Sequence, residues 1–389
     1  LAPNSKCVGT VADEKNDCFY WLVYHSTKNL ILKYKNNTIS FIFVDTTGVL
    51  EFSNNIITGV NILDNFLFWT DSQNEPKKID VNLCFLGTNQ NGSYHTKLVV
   101  PKRNIDINGG AIMQKEHLTV IKKSPKSKII IDPVYDVEIT SKANFDFNNG
   151  TLMENGEQGV ISFTNVLPNE SFYSEGDVVL MLRETSVDSL PTTSEVRIKI
   201  LEDISGGANP NYTYAFEVLT ISLGTSTAPI VYNCVREAAE KIFQRKFVRF
   251  GYRYRYNGGE YSPFSSFTDP IFKPGNFEYN SLKAYNTGME NNLVSLKIRN
   301  FISKETPLDV VQVDILYTES NSPTIYIVDS IKYKDPPTVW RGFTLADKEK
   351  VNNWTANLYE ITSDLIYAAV PANQLLRPWD NVPKKALAQ

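Results

Sequence analysis

Residues 59–81 read GVNILDNFLFWTDSQNEPKKIDV. A short apolar run ends in Trp69-Thr70-Asp71, a polar turn follows, and Pro76-Lys77-Lys78-Ile79 opens a second run. The strands are rich in Ile, Phe and Trp and the connection in Asn, Asp and Ser, which is the signature of an antiparallel β pair. Residues 118–131, LTVIKKSPKSKIII, repeat the plan around Pro125-Lys126. Residues 365–386, LIYAAVPANQLLRPWDNVPKKA, repeat it around Pro383-Lys384-Lys385. Pro76 and Pro125 lie 49 positions apart, close to the roughly 40–50 residues of a propeller blade. Upstream, CFYWLVYHSTKNLILKY (18–34) fits a further blade: strand Cys18–Tyr24, turn His25–Lys28, return Asn29–Tyr34. Proline fixes φ and lacks a donor, so in each beat it suits the first residue of a strand. The lysines after it are expected to face solvent.

The stretch between Pro125 and Pro383 is too long for one blade, so the reading is an all-β chain whose propeller is interrupted. It predicts blades over 1–133 and a return to them over 346–389. Residues 134–232 contain GVISFTNV, GDVVLMLRE, EVRIKILED and YAFEVLTIS between Gly-, Ser- and Pro-rich turns, which predicts an inserted small β-barrel or sandwich. A short connecting helix is predicted over 233–246. In CVREAAEKIFQR (234–245), Val235, Ala238, Ala239, Ile242 and Phe243 share a helical face. Residues 247–345 read as an immunoglobulin- or fibronectin-III-like sandwich. In FVRFGYRYRYNGGEYSPFSSF (247–267), Phe250, Tyr252, Tyr254 and Tyr256 alternate with Arg249, Gly251, Arg253 and Arg255. That period of two puts the aromatics in a core and the arginines on a solvent face. The alternatives for these arginines are a basic strip for DNA or an acidic partner, or a contact to a neighbouring subunit. Asn257-Gly258-Gly259 supplies the turn.

The 389 residues carry 39 basic and 43 acidic side chains, a formal charge of −4. That balance argues against binding nucleic acid by phosphate neutralisation, while leaving room for DNA that passes without being held. No apolar run reaches the ~18 residues of a membrane span, so stable membrane insertion is not expected. Leu1 in place of Met and an end without terminating character suggest a processed product or part of a longer chain. Cys7, Cys18, Cys84 and Cys234 are scattered, which predicts reduced thiols rather than a disulfide framework or a zinc site. His25, His95 and His117 are far apart, and no HExxH, GxSxG or phosphate-loop pattern occurs. Asp64 and Asp71 flank a strand as turn residues rather than pairing as glycosidase acids. No catalytic, cofactor-binding or metal-binding residue is assigned, and the chain is not expected to be an enzyme.

Four segments in this order, CFYWLVYHSTKNLILKY, ITGVNILDNFLFWTDSQNEPKKID, RKFVRFGYRYRYNGGEYSPFSSF and LLRPWDNVPKKALAQ, resemble the tail nozzle or muzzle proteins of short-tailed, crAss-like bacteriophages. The resemblance spans most of the chain and is weakest from about 140 to 230. It implies a β-propeller with inserted β-domains, assembled as a ring of six copies at the distal end of a virion tail. It further implies neighbouring tail ring or hub proteins and tail fibres as partners, double-stranded DNA only as transient cargo, and assembly in the host bacterial cytoplasm. The family has no catalytic residues to carry over. This chain holds three to four blades' worth of sequence, so its propeller would need residues from elsewhere. Two other readings are a propeller-based extracellular module of the YWTD type, binding protein or glycan, and a propeller hydrolase.

Overall fold

The computed structural model describes residues 3–103, 105–136, 138–147, 153–168, 172–183, 195–206, 212–222, 230–237, 240–275, 277–282, 284–286, 288–303, 305–333 and 358–375. Within them the chain is mostly β, and its contacts divide it into two compact units. One comprises 1–133, 245–272 and 295–389; the other comprises 134–244 and 273–294.

The chain opens with a four-stranded antiparallel meander: β1 (Lys6–Asp13), β2 (Cys18–Tyr24), β3 (Asn29–Lys35) and β4 (Thr38–Asp45). Alternation on β2 sends Cys18, Tyr20 and Leu22 into one core and Val23 into another, where it meets Leu30, Leu32 and Val44. A sheet covered on both faces reads as a continuous apolar run, which is why β3 begins NLIL. The opening stretch of the sequence forms a second meander of β5 (Gly59–Leu63), β6 (Phe66–Thr70) and β7 (Lys77–Asp80). Leu67, Trp69 and Ile79 point into the first core. Asp71 is the turn residue its position suggested: Oδ1 accepts the Gln73 and Asn74 amides at 3.0 and 2.7 Å. Pro76 directly precedes β7, as its missing donor requires.

Two features of this half differ from the sequence reading. Lys77 is 1% exposed, with Nζ 2.6 Å from Glu51 Oε2, so the lysine after the proline faces inward rather than to solvent. The second proline beat is not a blade. Residues 115–118 form a short helix, α2, which follows α1 (Val81–Gly87), and irregular chain then leads to β8 (Ile130–Tyr135). Lys122, on that irregular stretch, is buried among carboxylates and Tyr256. Charge satisfaction in the interior overrides the local period.

The inserted region is a closed six-stranded antiparallel barrel of β9 (Thr140–Phe145), β10 (Gln158–Leu167), β11 (Val178–Arg183), β12 (Glu195–Asp203), β13 (Thr213–Ser222) and β14 (Ile230–Arg236). The barrel order is β10-β13-β12-β11-β14-β9. Its interior is filled by alternating residues such as Ile161, Phe163, Met181, Ile198, Phe216 and Tyr232. The connecting helix does not form. Residues 230–236 are β14, with Tyr232 and Cys234 inside the barrel, and 240–245 carry no helix. β14 pairs with both β11 and β9, so a helix there would leave two sheet edges open.

The remaining strands are β15 (Val248–Tyr256), β16 (Tyr279–Asn280), β17 (Tyr285–Asn286), β18 (Leu293–Arg299), β19 (Val310–Glu319), β20 (Ile325–Lys332) and β21 (Tyr359–Ile361). β15, β19 and β20 make one sheet, β16 and β17 a hairpin, and β18 lies between β21 and β8. The described part of the third beat is not a blade either. Ala368 and Val370 hydrogen-bond Ile327 and Ile325, so this segment runs along the edge of β20. Residues 376–389, including Pro383-Lys384-Lys385, lie outside the described residues. Among the described residues no propeller is formed.

Candidate functional site

The strand singled out for its arginines, β15, carries a buried polar network in the larger unit. Its tyrosines are core residues, as the period of two requires, but Arg253 is 1% exposed and lies nowhere near solvent. Its Nε donates to Asp314 Oδ2 at 2.9 Å, directly across the β15–β19 register. Its two Nη groups donate to the Gln374 backbone carbonyl at 3.2 Å and side-chain carbonyl at 3.0 Å. The Tyr261 ring lies 3.9 Å from the guanidinium carbon. Asp314 Oδ1 in turn accepts from Gln312 and Ser330 at 2.6 and 2.8 Å. A buried ion pair is tolerated only when its remaining donors and acceptors are filled, and here they are. Arg249 donates to Ser320 and to the Thr268 carbonyl, and Arg255 reaches Gln312 and Tyr261. The three arginines therefore bind their own fold rather than forming a free basic strip.

The outer edge of β15 is closed by a run of hydroxyls. Ser262, Ser265 and Thr268 occur every third residue in YSPFSSFTDP. Their hydroxyls accept the amides of Tyr254, Tyr252 and Phe250 at 3.0, 2.9 and 3.1 Å. Their own amides donate to the carbonyls of the same three residues. The segment advances three residues for every two of β15, so a hydroxyl stands where a partner strand would offer its carbonyl. Gly251 permits this approach, because a Cβ there would lie 3.2 Å from the Phe267 ring. Asn257-Gly258-Gly259 makes the expected turn, with Gly259 at φ +93°. The edge of β4 is closed similarly. Gln90 accepts the Phe41 amide and donates to its carbonyl, and Thr96 Oγ1 accepts the Val44 amide at 2.8 Å. Nothing in the sequence marks Gln90 for that task.

A second polar cluster gathers Lys78, Lys122, Glu260 and Asp309. Lys78 lies 3.0 Å from Glu260, and Lys122 lies 3.4 Å from Asp309 and 4.6 Å from the centre of the Tyr256 ring. Nearby, Arg103 Nη1 donates to the carbonyls of Pro307, Leu308 and Val310. Burial pulls the Arg103 pKa down, opposed by Tyr333 and Asp309. Burial likewise raises Tyr252 and Tyr256, which therefore remain neutral phenols. Beside this cluster is a cavity of about 330 Å³ lined by Tyr254, Tyr256, Lys122, Lys126 and Glu75. Its charges are mixed, and two of its lysines are paired: Lys115 with Glu51 at 2.7 Å and Lys122 with Asp309 at 3.4 Å.

His95 accepts the Thr46 amide through Nδ1 and bonds the Met113 carbonyl through Nε2, so it braces a loop. His117 bonds the Gln114 amide in a capping box, and His25 sits in an exposed turn. Asp64 is a turn residue paired with exposed Lys15. The four cysteines are free; Cys18, Cys84 and Cys234 are buried and Cys7 is exposed. Burial pushes Cys234 up to about 12. Among the described residues no group of three or more His, Cys, Asp or Glu could hold a metal ion. Nor is any helix there long and apolar enough to cross a membrane.

The feature the sequence did not single out is apolar surface. Ile56, Leu63, Tyr94, Leu365 and Tyr367 in the larger unit, and Phe277, Tyr279 and Leu282 in the other, are each more than half exposed. The chain matches no protein-family model, and no curated protein is significantly similar to it.

Proposed function

We propose that this protein is a structural virion protein, a subunit of the distal tail nozzle or muzzle ring that forms and gates the channel for genome and protein ejection. The observation that carries the reading is the set of large apolar side chains left in solvent on both units. Single exposed apolar residues are ordinary, but here Phe277, Tyr279 and Leu282 fall within six residues and Leu365 and Tyr367 within three, and such runs on a chain with well-filled cores mark surfaces that neighbours cover. The resemblance of four ordered segments to nozzle proteins supplies the kind of assembly. On this reading β1–β4 and β5–β7 are two successive blades of a propeller completed by residues from elsewhere. The partners are further copies of the chain, adjacent tail ring or hub proteins and tail fibres, with DNA as passing cargo. A formal charge of −4 suits a conduit that does not grip DNA. The work is assembly and opening, without bond chemistry, in the virion tail. Electron microscopy of the full-length gene product, with native mass on the same sample, tests it. A closed ring with a channel wide enough for duplex DNA is expected, and a monomer at every concentration, even with tail partners added, would overturn it.

A further inference from the structure

Lys122 is 3% exposed and lies between two carboxylates. Its Nζ is 3.4 Å from Asp309 Oδ2 and 3.9 Å from Glu260 Oε1, and it donates to the Glu116 carbonyl at 2.9 Å. The Tyr256 ring, centred 4.6 Å away, covers another side. Lys78 lies 3.0 Å from the same Glu260 oxygen, so two cations meet two anions. Yet Asp309 Oδ1 and Glu260 Oε2 are buried and accept no hydrogen bond among the described residues. Interior carboxylates ordinarily fill their acceptors, as Asp314 does opposite Arg253. Buried Lys77 is placed differently: it meets Glu51, a carboxylate that Lys115 shares. A buried amine against one carboxyl, with a second carboxyl in reach to carry a proton, is the arrangement that amide formation requires.

We propose that Lys122 and Asp309 condense into an isopeptide bond, with Glu260 as the proton relay. Of the three protons on Nζ, one passes directly to Asp309 Oδ2 and one passes to Glu260. The freed lone pair attacks Asp309 Cγ and the C–N bond forms. Glu260 returns its proton to Oδ2, the C–O bond breaks, and that oxygen leaves as water with both protons. The third proton stays on the amide nitrogen, which keeps the Glu116 carbonyl as its acceptor. Nothing is oxidised or reduced. Condensation removes a buried ammonium and a buried carboxylate together and leaves Glu260 matched to Lys78. Lys122 and Asp309 stand 187 positions apart, so the bond closes a covalent loop that contains all six barrel strands and β15. The inference stands whether or not the chain forms a ring.

The intact mass of the full purified chain, in denaturant with reductant, reads the bond directly and needs no variant. The expected mass is one water below that of the sequence. A tryptic digest should give a branched peptide joining the segments of Lys122 and Asp309, uncut after Lys122. Glu260→Gln cannot take the proton, so linkage after refolding should slow at least about a hundredfold. An unsubstituted folded chain at its full sequence mass, with Lys122 and Asp309 in separate linear peptides, would overturn the bond. So would a loss of water without the branched peptide. Linkage as fast in Glu260→Gln as in the parent would overturn the relay.

Discussion

The barrel and the β15–β19–β20 sheet solve the same problem by different means. In the barrel each of the six strands has two main-chain partners, so no edge remains. The larger unit has open sheets, and the edges of β15 and β4 are closed by Ser262, Ser265, Thr268, Gln90 and Thr96 side chains. Backbone pairing is nearly indifferent to residue identity, whereas a hydroxyl or amide acceptor is lost with a single substitution. The barrel should therefore tolerate polar substitution that the open sheets do not, while both remain sensitive in their cores.

The largest effect is expected at the ion pair that holds the centre of the open sheet. Arg253→Met leaves buried Asp314 without its cation and should cost about 3–5 kcal/mol. Urea denaturation with hydrogen exchange at β15 and β19 measures it. Arg253→Met/Asp314→Leu should recover much of that loss, since two apolar groups leave no buried charge. A single substitution costing under about 1 kcal/mol would show that the pair is not what holds the sheet. Next comes the direct contrast of hydroxyls. Ser265→Ala leaves the buried Tyr252 amide unpaired and should cost about 1–3 kcal/mol. Ser162→Ala in the barrel removes only a hydroxyl contact to Thr213 and should cost under about 1 kcal/mol, by the same melts. Equal costs would break the contrast.

Gln90→Ala is expected to cost about 1 kcal/mol and to speed amide exchange at Phe41. The smallest effect concerns pH. Burial alone would raise Glu51, but hydrogen bonds and charge from Lys115 and Lys77 outweigh it and hold its carboxyl below the usual 4.5. A depressed carboxylate contributes stability above its unfolded pKa and loses it as pH falls through the folded value. Melts between pH 7 and 3 should therefore show an acid limb flatter by about 1 kcal/mol in Glu51→Gln than in the parent. Parallel limbs would mean that Glu51 does not drive the acid response.

The sequence made the β class legible because alternation is a local property. The strand–turn plan of residues 59–81, the turn at Asn257-Gly258-Gly259 and the small barrel all follow from period two and turn chemistry. The proline spacing misled at 118–131 and 365–375, where one shared dipeptide stood for a repeat while tertiary contacts set the backbone. The helical period at 234–245 misled for a related reason: apolar residues spaced three and four apart also satisfy a strand followed by a packed bend. The three-residue hydroxyl stride was present in the sequence but had no rule to expose it until β15 stood beside it.

Residue by residue, then, the sequence determined which segments extend, where they turn and that their aromatics seek a core. Only the tertiary structure decided that Lys77, Lys122 and Arg253 lie inside, because whether a cation can be buried depends on carboxylates and carbonyls brought to it from distant parts of the chain. The tertiary structure also decided that 230–236 is a strand, because a barrel with five of its strands in place leaves two edges that only a sixth can close.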